Sequence, residues 1–241
     1  MAPLSSIVII ESAITATISH GKKQINYLEI GVDEGLTFDK IKAEYNGIRV
    51  EKDGVDPYGE YTNNVHRMTS QVFFALNRQF WKKTYDVVFI DGCHFSPIVD
   101  EEIESSLKVL RPGGVIILDD TCPSSEISGR VTEEDIINYN RQVSYPLNQY
   151  HTTAVKGMSG FPHVNGDVWK SVAKLRMTRS DLRIFSIPSS NKTFINRGIQ
   201  ESLMPAIAIE DLDWQFYKDN LNTILNPIEF RDIKGHLHAG K

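Results

Sequence analysis

Short apolar runs and amphipathic stretches take turns along this chain. INYLEI at 25–30, the run at 86–90 and the run at 114–119 are too short for helices and read as buried strands. Another strand ends in VDPYG at Asp56, with Pro57 and Gly59 marking its exit. Between these runs, 36–45 (Thr37 near its start), 70–82 and 97–110 predict helices, the second with Phe73, Phe74, Leu76 and Phe80 inward. Strand alternating with helix predicts an α/β fold, a doubly wound, mostly parallel sheet with right-handed crossovers. Residues 5–19 predict a helix packed on the domain, N-capped by Ser5 or Ser6. Residues 121–165 break the rhythm with Ser, Pro, Gly, Asn and His, and read as a long connection over the site, where substrate lids are found. A helix returns at 166–177, DLRIFSIP and KTFINRG read as a terminal antiparallel pair, 211–226 as a last helix, and 227–241 as a poorly ordered tail. The expected organisation is an N-terminal helix over 1–24, one domain over 25–200 with the lid at 121–165, and a C-terminal helix and tail over 201–241.

Composition narrows the functions. A formal net charge of −5 argues against a nonspecific grip on nucleic acid, which needs a basic surface. Two cysteines, Cys93 and Cys122, give no disulfide framework and no CxxC spacing, so reduced cytoplasm is the expected compartment. The apolar N-terminal run has no basic residue before it and is interrupted by Glu11, which argues against a signal peptide, and nothing approaches the roughly 18 apolar residues of a membrane span.

The chemistry gathers at strand ends. VVFI runs into Asp91 and His94, and VIIL into Asp119 and Asp120, with an amphipathic helix closed by Arg-Pro-Gly-Gly between them. Ligands of open α/β sheets bind outside the carboxyl ends of strands, so three carboxylates and an imidazole at neighbouring ends point to an active site. The first strand ends in Glu29-Ile-Gly31-Val-Asp-Glu-Gly35, a glycine turn that lets backbone approach a ligand. It is not G-x-G-x-x-G: Asp33 and Glu34 repel a pyrophosphate and suit an ammonium or sulfonium. Asp56 could accept both ribose hydroxyls of an adenosine. Three carboxylates without a cysteine or histidine cluster suit Mg²⁺ or Mn²⁺ better than zinc.

YLEIGVDEGLTFDKI, VDPYG, MTSQVFF, VVFIDGCH and LKVLRPGGVIILDD resemble class I S-adenosylmethionine-dependent methyltransferases, from about residue 25 to residue 200. The similarity is to metal-dependent sugar O-methyltransferases of the macrocin and aminocoumarin type, with D-G-x-H and a later acidic pair. NGDVWKSVAKLR is also similar to methyltransferases found beside glycan-assembly enzymes. The resemblance implies a seven-stranded Rossmann-like sheet with the lid inserted after strand five. It implies S-adenosylmethionine contacts at Glu29, Gly31, Gly35, Asp56, Ser70 and Asp91, magnesium or manganese at Asp91, Asp119 and Asp120, and catalysis by Asp91 with His94 as general base. The acceptor implied is a hydroxyl of a sugar, a glycan or another small molecule, with rhamnose-like deoxysugars among the candidates. A homo-oligomer and association with glycosyltransferases are further implications.

Competing readings stand beside these. Asp91 and Asp120 could cap turns. Asp100, Glu101, Glu102 and Glu104 read as a solvated helix face, His151, His163 and Asp167 as surface polar residues in or beside the lid, and Trp169 as core. His236 and His238 are too isolated for a metal site. A catechol-type acceptor would use the same diol-on-metal chemistry, but 140–167 is rich in Asn, Gln, His and Ser, which favours a carbohydrate. An NAD-dependent oxidoreductase is disfavoured by the glycine turn, a silent binding module by the coincidence of cofactor and chemical residues, and nucleic-acid N-methylation by the missing Asn/Asp-Pro-Pro-aromatic motif.

Overall fold

A computed structural model describes residues 4–18, 22–58, 64–132, 165–200 and 203–238. The strands are β1 (Gln24–Ile30), β2 (Glu44–Tyr45), β3 (Ile48–Val55), β4 (Val65–His66), β5 (Tyr85–Ile90), β6 (Leu110–Leu118), β7 (Leu182–Ile187) and β8 (Lys192–Arg197). The helices are α1 (Ser6–Thr17), α2 (Ser70–Leu76), α3 (Ser96–Val109), α4 (Val168–Thr178), α5 (Trp214–Leu225) and α6 (Ile233–His238). Seven strands run in the order β2-β3-β1-β5-β6-β8-β7, and β4 pairs with β3 off that path. β3, β1, β5 and β6 are mutually parallel, whereas β8 runs antiparallel to β6, and β7 to β8. This is the doubly wound, mostly parallel sheet that the residue pattern predicts.

Register fixes the site. Ile30 pairs with both Val55 and Ile90, and Ile90 pairs with Leu118, so four parallel strands end on one rung. Gly31, Asp56, Asp91 and Asp119 are therefore the next residues of four adjacent strands. Ladder bonds carry past the rung: Gly31 N donates to Val55 O (2.9 Å), Asp91 N to Ile30 O (2.8 Å) and Asp119 N to Ile90 O (3.0 Å).

Both faces of these strands are buried, as helices on either side of a parallel sheet require. Leu28, Ile30, Val88, Ile90, Ile116 and Leu118 face one core, with residues of α2, α3, α4 and α5. Tyr27, Val87, Phe89, Val115 and Ile117 face the other, with Ile9, Ile10, Ala13 and Ile14 of α1. At the amino ends of the strands, buried Asp86 accepts from the Asn26 amide (2.7 Å) and pairs with Lys22 (2.7 Å) and Arg111 (3.0 Å). The arginine of Arg-Pro-Gly-Gly thus anchors the connection into β6.

Several expectations fail for identifiable reasons. The predicted helix at 36–45 is a single 3₁₀ turn, Phe38–Lys40, followed by a β2–β3 hairpin. Asn46 and Gly47 both take positive φ (51° and 77°), the requirement of a tight two-residue hairpin turn, and Asn-Gly is its sequence signal. Phe80 is 62% exposed rather than inward. α2 passes into a π-helical turn over Asn77–Trp81, which shifts the helical phase so that Asn77 turns in and binds Lys83 N and O, at 2.9 Å each. Residues 227–238 are not a loose tail. Pro227 bridges Ser186, and Ile233 and Leu237 of α6 are buried with α1. Most of the expected lid, including His151 and His163, lies outside the described residues, as does the side chain of His238. Among the described residues, no helix is long and apolar enough to cross a membrane.

Candidate active site

The glycine turn after β1 is built for backbone contact. Gly31 has φ +84°, and a Cβ there would lie 2.1 Å from Asp91 O, so no other residue fits without moving the neighbouring strand end. Gly35 also takes positive φ (+78°). Asp56 ties the turn down: its carboxylate accepts from Asp33 N (2.9 Å) and Tyr58 N (2.7 Å), and burial raises its pKa. Glu29 lies one layer lower, 1% exposed, accepting from the Tyr27 hydroxyl at 2.5 Å. Burial pushes its carboxyl up to about 8. Ser70, the first residue of α2, is buried and donates to Glu102 of α3 at 2.6 Å. Glu102 is thus not part of a solvated face. α3 presents it inward, it is 3% exposed, and burial raises its carboxyl to about 7.

The acidic half lies on the next two strands, at the ends of β5 and β6. His94 Nε2 is 3.1 Å from Asp120 Oδ2 and 3.6 Å from Asp91 Oδ1. Asp91, His94 and Asp120 each offer a ligand atom, all within 4.8 Å of one another. Burial, and then the nearby Asp119 and Asp120 charges, raises the Asp91 carboxyl to about 6 against the pull of His94. Asp120 is likewise raised by burial first. Among the described residues, no lysine or arginine forms an ion pair with Asp91 or Asp120. Two crowded carboxylates beside an imidazole are a donor set that fits a hard divalent cation.

Asp119 behaves differently. Both its oxygens lie 2.8 Å from the Lys192 ammonium, and one accepts from Asp120 N at 2.8 Å. Asp120 is held in the left-handed region (φ +58°), where its Oδ1 accepts from the side-chain amides of Asn165 (2.9 Å) and Asn191 (2.7 Å). Its other oxygen is left facing His94.

Sequence reasoning missed these supports. Asp167, expected as a surface polar residue, is buried, and its carboxylate accepts from Ser96 N (2.6 Å), capping α3 rather than the helix it precedes. Its amide donates to His94 O at 3.0 Å. Gly166 (φ +57°) lies flush on the same carbonyl, 1.9 Å from where its Cβ would be. Gly166 and Asp167 therefore grip the His94 loop, while Asn165 beside them holds Asp120. An Asn-Gly-Asp run before an amphipathic helix was their visible signal. Trp169 is core, as expected, donating to Gly129 O at 2.8 Å.

Residues 28–121 match a family model described as a methyltransferase domain. That span holds the glycine turn, Asp56, Ser70 and the whole D-G-x-H to Asp-Asp stretch, so the methyltransferase resemblance holds over the segment that carries the site. Similar solved structures include the MycE methyltransferase from the mycinamycin biosynthetic pathway, in complex with Mg, S-adenosylhomocysteine (SAH) and mycinamycin VI. It is 16% identical over 77% of this chain and 48% of that one, with a TM-score of 0.39. An O-methyltransferase from Bacillus cereus in complex with SAH is 17% identical over 73% of this chain and 74% of that one (TM-score 0.40). A protein from Corynebacterium glutamicum is 12% identical over 83% and 85% (TM-score 0.48). The chain spans about half the length of MycE. No curated protein matches it.

Proposed function

We propose that this protein is an S-adenosylmethionine-dependent, divalent-metal-assisted O-methyltransferase acting on a hydroxyl of a sugar or glycan. The observation that carries this reading is the common rung from which Gly31, Asp56 and Asp91 extend, with His94 and Asp120 converging beside them. Gly31 and Gly35 supply close backbone approach for the cofactor, Asp56 the acceptor for its ribose, and Ser70 a contact near its adenine. Glu29 and Asp91, near the ends of β1 and β5, complete the proposed cofactor contacts. Bound S-adenosylmethionine supplies an electrophilic methyl group, and bound Mg²⁺ or Mn²⁺ lowers the pKa of an acceptor hydroxyl. Asp91 and Asp120 are the residues best disposed to hold that cation, with Asp119 beside them.

Methyl transfer from a sulfonium is an in-line displacement, so the protein mainly aligns reactants. A sugar hydroxyl keeps its proton tightly and needs a base. His94 takes that proton on its imidazole, and the Asp91 and Asp120 carboxylates, 3.6 and 3.1 Å from Nε2, stabilise the charged ring. Asn165 and Asn191 keep Asp120 aimed at His94 during the transfer. The polar composition of 140–167 supports a carbohydrate acceptor over a catechol, whose site would want apolar walls.

The test is calorimetric titration with SAH, with and without Mg²⁺ and EDTA, followed by transfer of labelled methyl from S-adenosylmethionine to sugar and catechol acceptors. SAH binding with Mg²⁺-dependent methylation of a sugar is expected. Absence of SAH binding overturns the class, and methylation of catechols alone overturns the acceptor.

A further inference from the structure

We infer that Lys192 acts as a built-in counter-cation, taking Asp119 out of the metal's coordination and leaving a site of two carboxylates, Asp91 and Asp120. This rests on the divalent-cation reading given above and departs from the ligand set that the sequence resemblance implies.

The fold dictates the pairing. β8 runs antiparallel to β6 with Leu118 opposite Thr193, so one step further on Lys192 stands opposite Asp119. Its ammonium is almost fully enclosed, with the side chain 4% exposed, and bridges both Asp119 oxygens at 2.8 Å. A third bond goes to Ser190 O at 3.2 Å, which completes the donor capacity of an ammonium. Were Asp119 to turn toward a metal ion, it would strand a buried charge, and breaking such a pair is strongly destabilising. Asp119 is therefore committed to Lys192.

Charge follows the same logic. Asp91, Asp119 and Asp120 carry three negative charges and Lys192 carries one positive, which leaves a net −2 to match a divalent ion. The residue before it adds geometry: Asn191, in the left-handed region (φ 60°), bonds Asp120 Oδ1 at 2.7 Å and accepts from Cys122 N at 2.6 Å. One turn thus neutralises one aspartate and aims the other.

Mn²⁺ affinity, read by electron paramagnetic resonance of the free ion with SAH bound, tests the assignment without reference to turnover. Lys192→Met is expected to bind Mn²⁺ about tenfold tighter than wild type, because it frees Asp119 to ligate. A folding defect would not tighten binding. The paired variant Asp119→Asn/Lys192→Met removes both charges at once and is expected to stay within about threefold of wild type, whereas Asp120→Asn loses about a hundredfold. If the paired variant loses as much as Asp120→Asn, Asp119 is a ligand and the inference is overturned while the metal reading survives. If Lys192→Met binds no more tightly than wild type, the inference is likewise overturned. Wild type that binds SAH without Mn²⁺, beside a Lys192→Met variant that binds both, would overturn the two-carboxylate site together with the metal reading. Mn²⁺ binding by neither would overturn both.

Discussion

The parallel centre of the sheet and its antiparallel edge contribute to one site in opposite ways. In the centre, Gly31, Asp56, Asp91 and Asp119 each follow their own strand, and aligned strand ends bring them together. At the edge, the β7–β8 turn and the segment before α4 supply Asn191, Lys192 and Asn165, which reach Asp120, Asp119 and Asp120 across 71, 73 and 45 positions of sequence. The centre presents reactive groups, and the edge sets their aim and charge. Identity of a functional residue is thus a local property here, whereas its state is a long-range one.

The sharpest way to break the centre is Gly31→Ala. A Cβ 2.1 Å from Asp91 O, on a backbone at φ +84°, should cost about 4 kcal/mol or more and abolish SAH binding. Chemical denaturation and calorimetry would read both effects, and near-wild-type affinity would mean that the turn does not meet the cofactor. Beneath the site, Glu102 has a folded pKa raised to about 7, well above its unfolded value. Between about pH 4.5 and 7 the unfolded chain gives up this proton and the native one keeps it, so stability falls through that window and levels off above it. Glu102→Gln should remove this loss, gaining on wild type by up to about 3 kcal/mol from pH 4.5 to 8 in urea denaturation. Parallel pH curves for the two proteins would show that the carboxyl ionises normally.

At the edge, Asn191→Gly keeps the left-handed turn but deletes the amide on Asp120. It should lower kcat about tenfold, the worth of a hydrogen bond to a charged group, with SAH affinity unchanged. Wild-type kcat would mean that Asp120 needs no clamp. The smallest effect is expected at Phe80, whose side chain points outward: Phe80→Ser should change stability by less than about 0.5 kcal/mol. A loss of several kcal/mol would restore the inward helix predicted from the sequence.

Legibility divides along the same line as the two regions. Strand runs such as INYLEI and DVVFI, buried on both faces, were readable because a fully buried parallel strand leaves a continuous apolar stretch. The helix expected at 36–45 failed because the Asn46-Gly47 turn competes with helical propensity and pairs β2 with β3. Phe80 failed because a π turn changes the period on which inward and outward were assigned. Glu102 was hidden inside an acidic run, where only packing against α2 separates it from its exposed neighbours Glu101 and Glu104. Asp167 read as a surface polar residue because the helix it caps begins 71 positions earlier in the chain.

By itself the sequence determined the strand-helix alternation, the glycine turn and which carboxylates stand at strand ends, since these follow from periodicity and from the few residues a tight turn admits. Only the tertiary structure decided that Asp119 is paired with a buried lysine, that Asp120 is clamped by two asparagines, and that Glu102 is sealed from water. Those outcomes depend on strand register and on desolvation, and both are set by contacts between residues far apart in the chain.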